Sequence, residues 1–297
     1  MARQIILTTA FLSFVAAFAA AQDLTVTYLD GTLEVRTAKG WRTLDVGSTI
    51  KADSRVRVGD SGSVELRRGS QHISIIQDGE YAIAELLSSS GKAGSKGVGV
   101  TLASKLHSVA SGTGRNANAV GGVRGAAQGD NSQDLTWMGT DDEDTSAKAQ
   151  ALLDKQRYRE AETELARALT NAQDDQKKQD LEYLLASAYY GDGESARAYH
   201  TLLSVKNNIA STYYPDSVIL KAQILLDNGA FADSLKILKD FQTENTDNRY
   251  VQISHLLSAQ CYKELGDTKS EKDSLQKGYA IDPRSDTAQQ ISKLQNE

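Results

Sequence analysis

Few side chains in this sequence have the types and spacing that chemistry requires. Gly59-Asp60-Ser61-Gly62 places a serine in the polar, glycine-flanked setting from which a hydroxyl can attack a carbonyl. Such a serine needs a general base and a carboxylate to orient that base. The first of the four histidines, His72, follows the serine, whereas in catalytic chains with this sequence the base precedes it. A polar turn between strands accounts for these residues. Ser89-Ser90-Gly91-Lys92 and Ser274-Leu275-Gln276-Lys277 fit a loose Ser-x-x-Lys spacing, but the companion motifs of that chemistry are missing. No phosphate loop, dinucleotide fingerprint or His-Glu-x-x-His pattern occurs. The single cysteine, Cys261, excludes an internal disulfide framework and a Cys-rich zinc site. His255 lies on a different helix face, so Cys261 reads as a buried, inert thiol. The expectation is a non-enzyme with no catalytic residue, metal or cofactor.

The elements that carry these residues fall into separate regions, and 297 residues suit two domains at about 150 residues each. Thirty-three basic and 39 acidic side chains give a net charge of −6, which argues against non-specific nucleic-acid binding. Arg3 is the only charged residue before Asp23, and an apolar run from Ile5 to Val15 ends in Ala19-Ala20-Ala21. This is the pattern of a secretory signal peptide over residues 1–21, cleaved after Ala21. A periplasmic or secreted protein follows, with no transmembrane segment after cleavage.

From Leu24 to Leu87 β-branched residues alternate with polar ones. Turn signals at Asp30-Gly31, Gly59-Asp60 and Asp78-Gly79 divide the run into short strands of a sandwich or barrel. Residues 88–119 form a Gly/Ser-rich basic insertion, and the basic segment from Lys92 to Arg124 reads as a solvated loop more readily than as a patch for anionic wall polymers or lipid head groups. Val120-Gly121-Gly122-Val123-Arg124-Gly125 reads as one more buried strand.

Gly31-Thr32-Leu33-Glu34-Val35, Gly40-Trp41, Leu44 to Gly47, Arg57-Val58-Gly59-Asp60, Ser63-Val64-Glu65-Leu66 and the late Gly122-Val123-Arg124-Gly125 carry a resemblance to the FecR domain, a bacterial envelope β-module. The resemblance implies an all-β FecR-like domain over residues 22–133. It does not imply iron signalling, because the cytoplasmic anti-sigma segment and internal membrane helix of those regulators are missing.

Beyond Asp134 the pattern is helical and periodic. Ala149, Ala186, Ala222 and Ser258 are spaced by 37, 36 and 36 residues; Leu165, Leu202, Leu238 and Leu275 are spaced by 37, 36 and 37. Ala161, Ala198 and Ser234 form a third series, which Glu271 interrupts in the last block. These blocks resemble tetratricopeptide repeats, pairs of antiparallel helices that stack because one pair cannot bury its apolar face alone. The expectation is an all-α solenoid of four repeats over residues 134–283, with a polar capping helix over 284–297.

In that family the first helices of successive repeats line a concave groove. Carried over by register, the groove residues are Gln150 and Leu153, then Tyr183, Ser187 and Tyr190, then Ile219, Gln223 and Leu226, then His255, Ala259, Tyr262 and Lys263. The Lys/Asn clamp with which some members grip a carboxylate is not reproduced there. The resemblances together imply a cell-envelope scaffold that binds a protein or peptide partner through the groove. The alternative is a module that holds peptidoglycan or polysaccharide through its FecR-like domain, with the repeats as a spacer.

Overall fold

The computed structural model describes residues 23–90, 141–204, 213–245 and 247–296. The signal peptide, most of the Gly/Ser-rich insertion and the late Val-Arg-Gly strand lie outside these residues. An antiparallel sheet comes first and an all-helical region follows. The sheet holds β1 (Leu24–Thr37), β2 (Gly40–Thr43), β3 (Thr49–Ile50), β4 (Arg55–Arg68), β5 (Gln71–Ile75) and β6 (Gly79–Ala82). Its order is β2-β1-β4-β5, with β3 also paired to β1 and β6 to β4.

Two of the three expected turns are bends inside long strands. β1 runs through Asp30-Gly31 and β4 through Gly59-Asp60, and the two sites face each other, with Asp30 opposite Ser63 and Thr32 opposite Gly59. Residues that tolerate a positive φ suit a bulge as well as a hairpin. Gly31, Asp60 and Ser61 all have positive φ. Asp78 secures the bend by accepting from the Ser61 and Gly62 N–H groups at 3.1 and 3.2 Å. Ser61 is therefore part of a bend in β4. Both arms contribute to one core: Leu24, Val26, Val64, Leu66, Ile73 and Ile75 from one, Leu33, Val35, Val56 and Val58 from the other. Asp78-Gly79 does form a turn, between β5 and β6. The alternating run then ends early, because α1 (Ile83–Ser90) packs Ile83, Leu86 and Leu87 on this core.

The helical region holds four pairs, α2 (Asp141–Asp154) with α3 (Tyr158–Asn171), α4 (Asp175–Asp192) with α5 (Ser195–Ser204), α6 (Tyr214–Asp227) with α7 (Phe231–Glu244), and α8 (Asn248–Glu264) with α9 (Thr268–Ile281), then α10 (Asp286–Gln295). Each helix of a pair packs on the other, and the first helices pack in sequence on one another. The spaced small residues mark close crossings: Ala149, Ala161, Ala186, Ala198, Ala222 and Ser234 are fully buried. The Ser234 hydroxyl donates to the Ala222 carbonyl at 2.8 Å.

One turn recurs in all four pairs. The N–H groups of Arg157, Glu194, Ala230 and Asp267 donate to the carbonyls of Leu152, Tyr189, Leu225 and Tyr262 at 2.8–2.9 Å. This is the bond that closes a helix through a left-handed residue. That residue is glycine in three turns, Gly193, Gly229 and Gly266, and Gln156 in the first. The last pair is closed by α10, whose Ser285 hydroxyl donates to Oε1 of buried Gln252 at 2.7 Å. Gln252 Nε2 donates to the Gly278 and Asp282 carbonyls at 3.0 Å each.

The two regions touch along β4. Val64 and Leu66 face the sheet core, yet Ser63 and Glu65 on the opposite side are buried too, because α5 lies across them with Ala196 fully enclosed. Ile76 leaves the sheet to join the core of the first helix pairs.

Two substitutions test the backbone argument by urea unfolding. Gln156→Gly is expected to stabilise by up to about 1 kcal/mol, since it relieves the left-handed strain. Gly31→Ala is expected to cost about 2 kcal/mol or more, because φ is +77° and an added Cβ would stand 2.6 Å from Gly62 Cα.

Candidate functional site

The first helices carry the residues expected to line a groove, and the structure uses several of them to join one helix to the next. Leu153 on α2, Tyr183 on α4 and Ile219 and Gln223 on α6 are buried, and so is Ala259 on α8. Tyr183 stacks on Tyr213 with ring centroids 4.9 Å apart. Ser187 turns its hydroxyl back onto the Tyr183 carbonyl at 2.9 Å. Tyr190 and Gln223 converge on Asp227, donating to its two carboxyl oxygens at 2.6 and 2.7 Å, so α4 and α6 share one polar tie. Gln150 and Leu226 are half-buried and Lys263 is exposed. Leu153, Tyr183, Ile219, Gln223 and Ala259 thus lie in contacts between helices rather than on an open surface.

A similar tie joins α6 to α8. Tyr250 donates to Asp216 Oδ2 at 2.8 Å. Asp216 is almost fully enclosed, and burial pushes its carboxyl up to about 7 against the stabilising hydrogen bond from Tyr250. Its other oxygen, Oδ1, has no hydrogen-bond partner.

His255 and Tyr262 are placed differently. Both open into a cleft of about 230 Å³ between α7, α8 and α9, on the side of the second helices of the third and fourth pairs. Lys239 and Gln242 of α7 form one wall, and Ser270, Asp273, Ser274 and Lys277 of α9 form the other. Ser258 sits between His255 and Tyr262 and accepts from Gln242 Nε2 at 3.2 Å while donating to the Ser254 carbonyl at 2.8 Å. Lys239 Nζ lies 5.9 Å from the centroid of the Tyr262 ring and makes no ion pair among the described residues. Burial, and next the positive charge of Lys277, lower the His255 imidazole below its usual value, so it is neutral at pH 7.

The chemistry offered here is recognition of hydrogen-bond acceptors by an ammonium group, an imidazole N–H and hydroxyls, with an aromatic face beside them. Ser274 and Lys277 of the loose Ser-x-x-Lys spacing both line this cleft, but the Lys277 ammonium is 2.7 Å from the Asp273 carboxylate and is committed to that ion pair. Burial raises the Cys261 thiol to about 11, consistent with an inert packed side chain. Among the described residues, no group of histidine, cysteine and acidic side chains could hold a metal ion, and no helix is long and apolar enough to cross a membrane.

Sequence periodicity could place His255 and Tyr262 on an accessible face, but not beside Lys239 and Lys277 on neighbouring helices. One signal pointed there: Ser258 interrupts the series Ala149, Ala186, Ala222 with a hydroxyl. Comparison with protein-family models, curated proteins and solved structures finds no match to this chain.

The Asp216 carboxyl titrates above its ordinary value in the folded state, so its contribution to stability falls as pH rises from about 4 through about 7. Asp216→Asn keeps an acceptor for Tyr250 and removes the ionisation. The variant is expected to gain more than about 1 kcal/mol relative to wild type on going from about pH 4 to about pH 8, measured by urea unfolding.

Proposed function

We propose that this chain is a non-enzymatic scaffold of the bacterial cell envelope, in which a FecR-like β-domain is joined to a tetratricopeptide-type stack that docks a protein partner. The recurrence of one closing turn in four helix pairs, with buried small residues at their crossings, supports the repeat reading. The resemblance of the strand region to FecR domains and the signal-peptide pattern support the envelope assignment.

The observation that carries the binding reading is the cleft between α7, α8 and α9. Tyr262 offers contact area at little conformational cost, and aromatic residues of this kind are enriched where partners bind tightly. Lys239 beside it supplies an available positive charge, which suits an acidic or carbonyl-rich segment of the partner. The groove of first helices contributes less than its register implies, because Tyr183 and Tyr190 already bind neighbouring helices.

The test is a crosslinked pull-down from the native envelope, followed by affinity measurement with the captured protein. Lys239→Ala/Tyr262→Ala, shown to be equally folded, is expected to weaken binding at least about tenfold. Equal binding by wild type and variant would rule out the cleft. Recovery of wall fragments by both proteins, with no protein partner, would favour the peptidoglycan or polysaccharide reading.

A further inference from the structure

The deepest contact between the sheet and the helices contains an ionisable group. Glu65 points away from the sheet core, on the side of β4 that alternation assigns to solvent, yet it is fully buried under α5. Its Oε1 accepts from the Ala196 N–H at 2.5 Å, although the two residues are 131 positions apart in the chain. Ala196 is the second residue of α5, and N–H groups at a helix start have no partner within the helix. Glu65 thus supplies from the sheet the acceptor that a capping side chain ordinarily supplies locally. Ser74 of β5 donates to the same carboxyl group, 2.9 and 2.8 Å from its two oxygens.

Among the described residues no cation pairs with this carboxyl. Arg197, the next residue after Ala196, pairs with Glu194 at 3.2 Å and lies over the Tyr189 ring at 4.1 Å. Glu194 adds negative charge near Glu65. Besides the apolar contact of Ile76 with the helical core, two exposed polar ties join the regions among the described residues, Asp30 with His200 at 3.0 Å and Gln77 Nε2 donating to Asp233 at 3.0 Å, and each is individually weak. A buried carboxylate without a counter-charge is costly, while its neutral form keeps the same acceptor for Ala196.

We propose that Glu65 is a proton-operated latch: as a neutral carboxyl it holds the sheet closed on α5, and on losing its proton to solvent it favours release of the helical region. Burial outweighs the hydrogen bonds and pushes the closed-state carboxyl up to about 8, against 4.5 for the ordinary group. The closed state keeps a proton that the open state gives up in this interval. Closure is therefore fully supported below about pH 4.5 and weakens as pH rises through about 8.

Other groups at this contact titrate or carry charge, and their effects differ. On the sheet side they are Tyr28 and Asp30 of β1, Arg67 of β4 and His72 of β5. On the helix side they are Arg159 and Glu162 of α3, Asp192 of α4, Glu194, and Arg197 and His200 of α5. Glu162, raised to about 7 by burial and next by Glu194, acts in the same direction as Glu65. His72, lowered by burial, acts oppositely, since its protonation at low pH disfavours closure.

The full chain carrying spin labels at Lys39→Cys and Lys272→Cys, with buried Cys261 left in place, tests the latch by pulsed distance measurement at about pH 6 and about pH 9.5. Wild type is expected to show one narrow distance distribution at the lower pH and a several-fold fall in that population at the higher pH, with unchanged circular dichroism. Glu65→Gln is expected to remain closed at both. The double variant Glu162→Gln/His200→Gln, which keeps Glu65, is expected to open as wild type does and covers the case in which Glu65→Gln fails to fold. A wild-type distance independent of pH would overturn the proposal. So would opening that persists in folded Glu65→Gln or disappears in the double variant.

Discussion

Close approach of helices at small residues is the constraint on which the helical region depends. Where Ala149, Ala186 and Ala222 meet the second helices of their pairs, only methyl side chains are enclosed, and larger neighbours such as Leu165, Leu202 and Leu238 are buried with them. This proximity leaves little tolerance in the connection between paired helices. The same left-handed turn follows, with the same closing hydrogen bond in each pair. It also brings successive first helices near enough for Tyr190 to reach Asp227 and for Tyr250 to reach Asp216. The stack is thus apolar at its crossings and tied by phenol–carboxyl bonds between its layers.

The fourth pair departs from this pattern, and a cleft lies beside it. Ser258 replaces the alanine of earlier pairs, and Glu271 stands where they carry a small residue. Polar side chains of α7 and α9 then face each other across α8 without filling the space between them. The end of the stack is secured from another direction, through Gln252 and its bonds to the last turn of α9 and the start of α10. An open polar cleft and a well-anchored end can therefore coexist in neighbouring parts of one pair.

Much of this architecture was legible in the residues alone, since period and alternation are local properties of a chain. The helix pairs and the strand-rich first region follow from them. What period cannot specify is the identity of the neighbour. Tyr183 was placed on an accessible face, but its face is closed by Tyr213 and α6. Asp30-Gly31 and Gly59-Asp60 permitted positive φ, which serves a bend as well as a reversal, and only the opposing strand decides between them. Alternation cannot reveal that Glu65 is covered, because α5, which buries it, lies far along the chain.

The paired bends in β1 and β4 restrict how this domain can change length. Val56, Val58, Val64 and Leu66 all face the core although the irregular residues Gly59 to Gly62 separate them. Deleting one residue within that stretch of β4 would exchange the two sides of everything downstream, turning Val64 and Leu66 toward α5 and Ser63 and Glu65 into the sheet interior. An alteration in β1 near Gly31 would shift its pairing with β4 in the same way. Insertions and deletions here would have to arise as compensated pairs across the ladder, or in even steps, whereas loops elsewhere could drift in length one residue at a time.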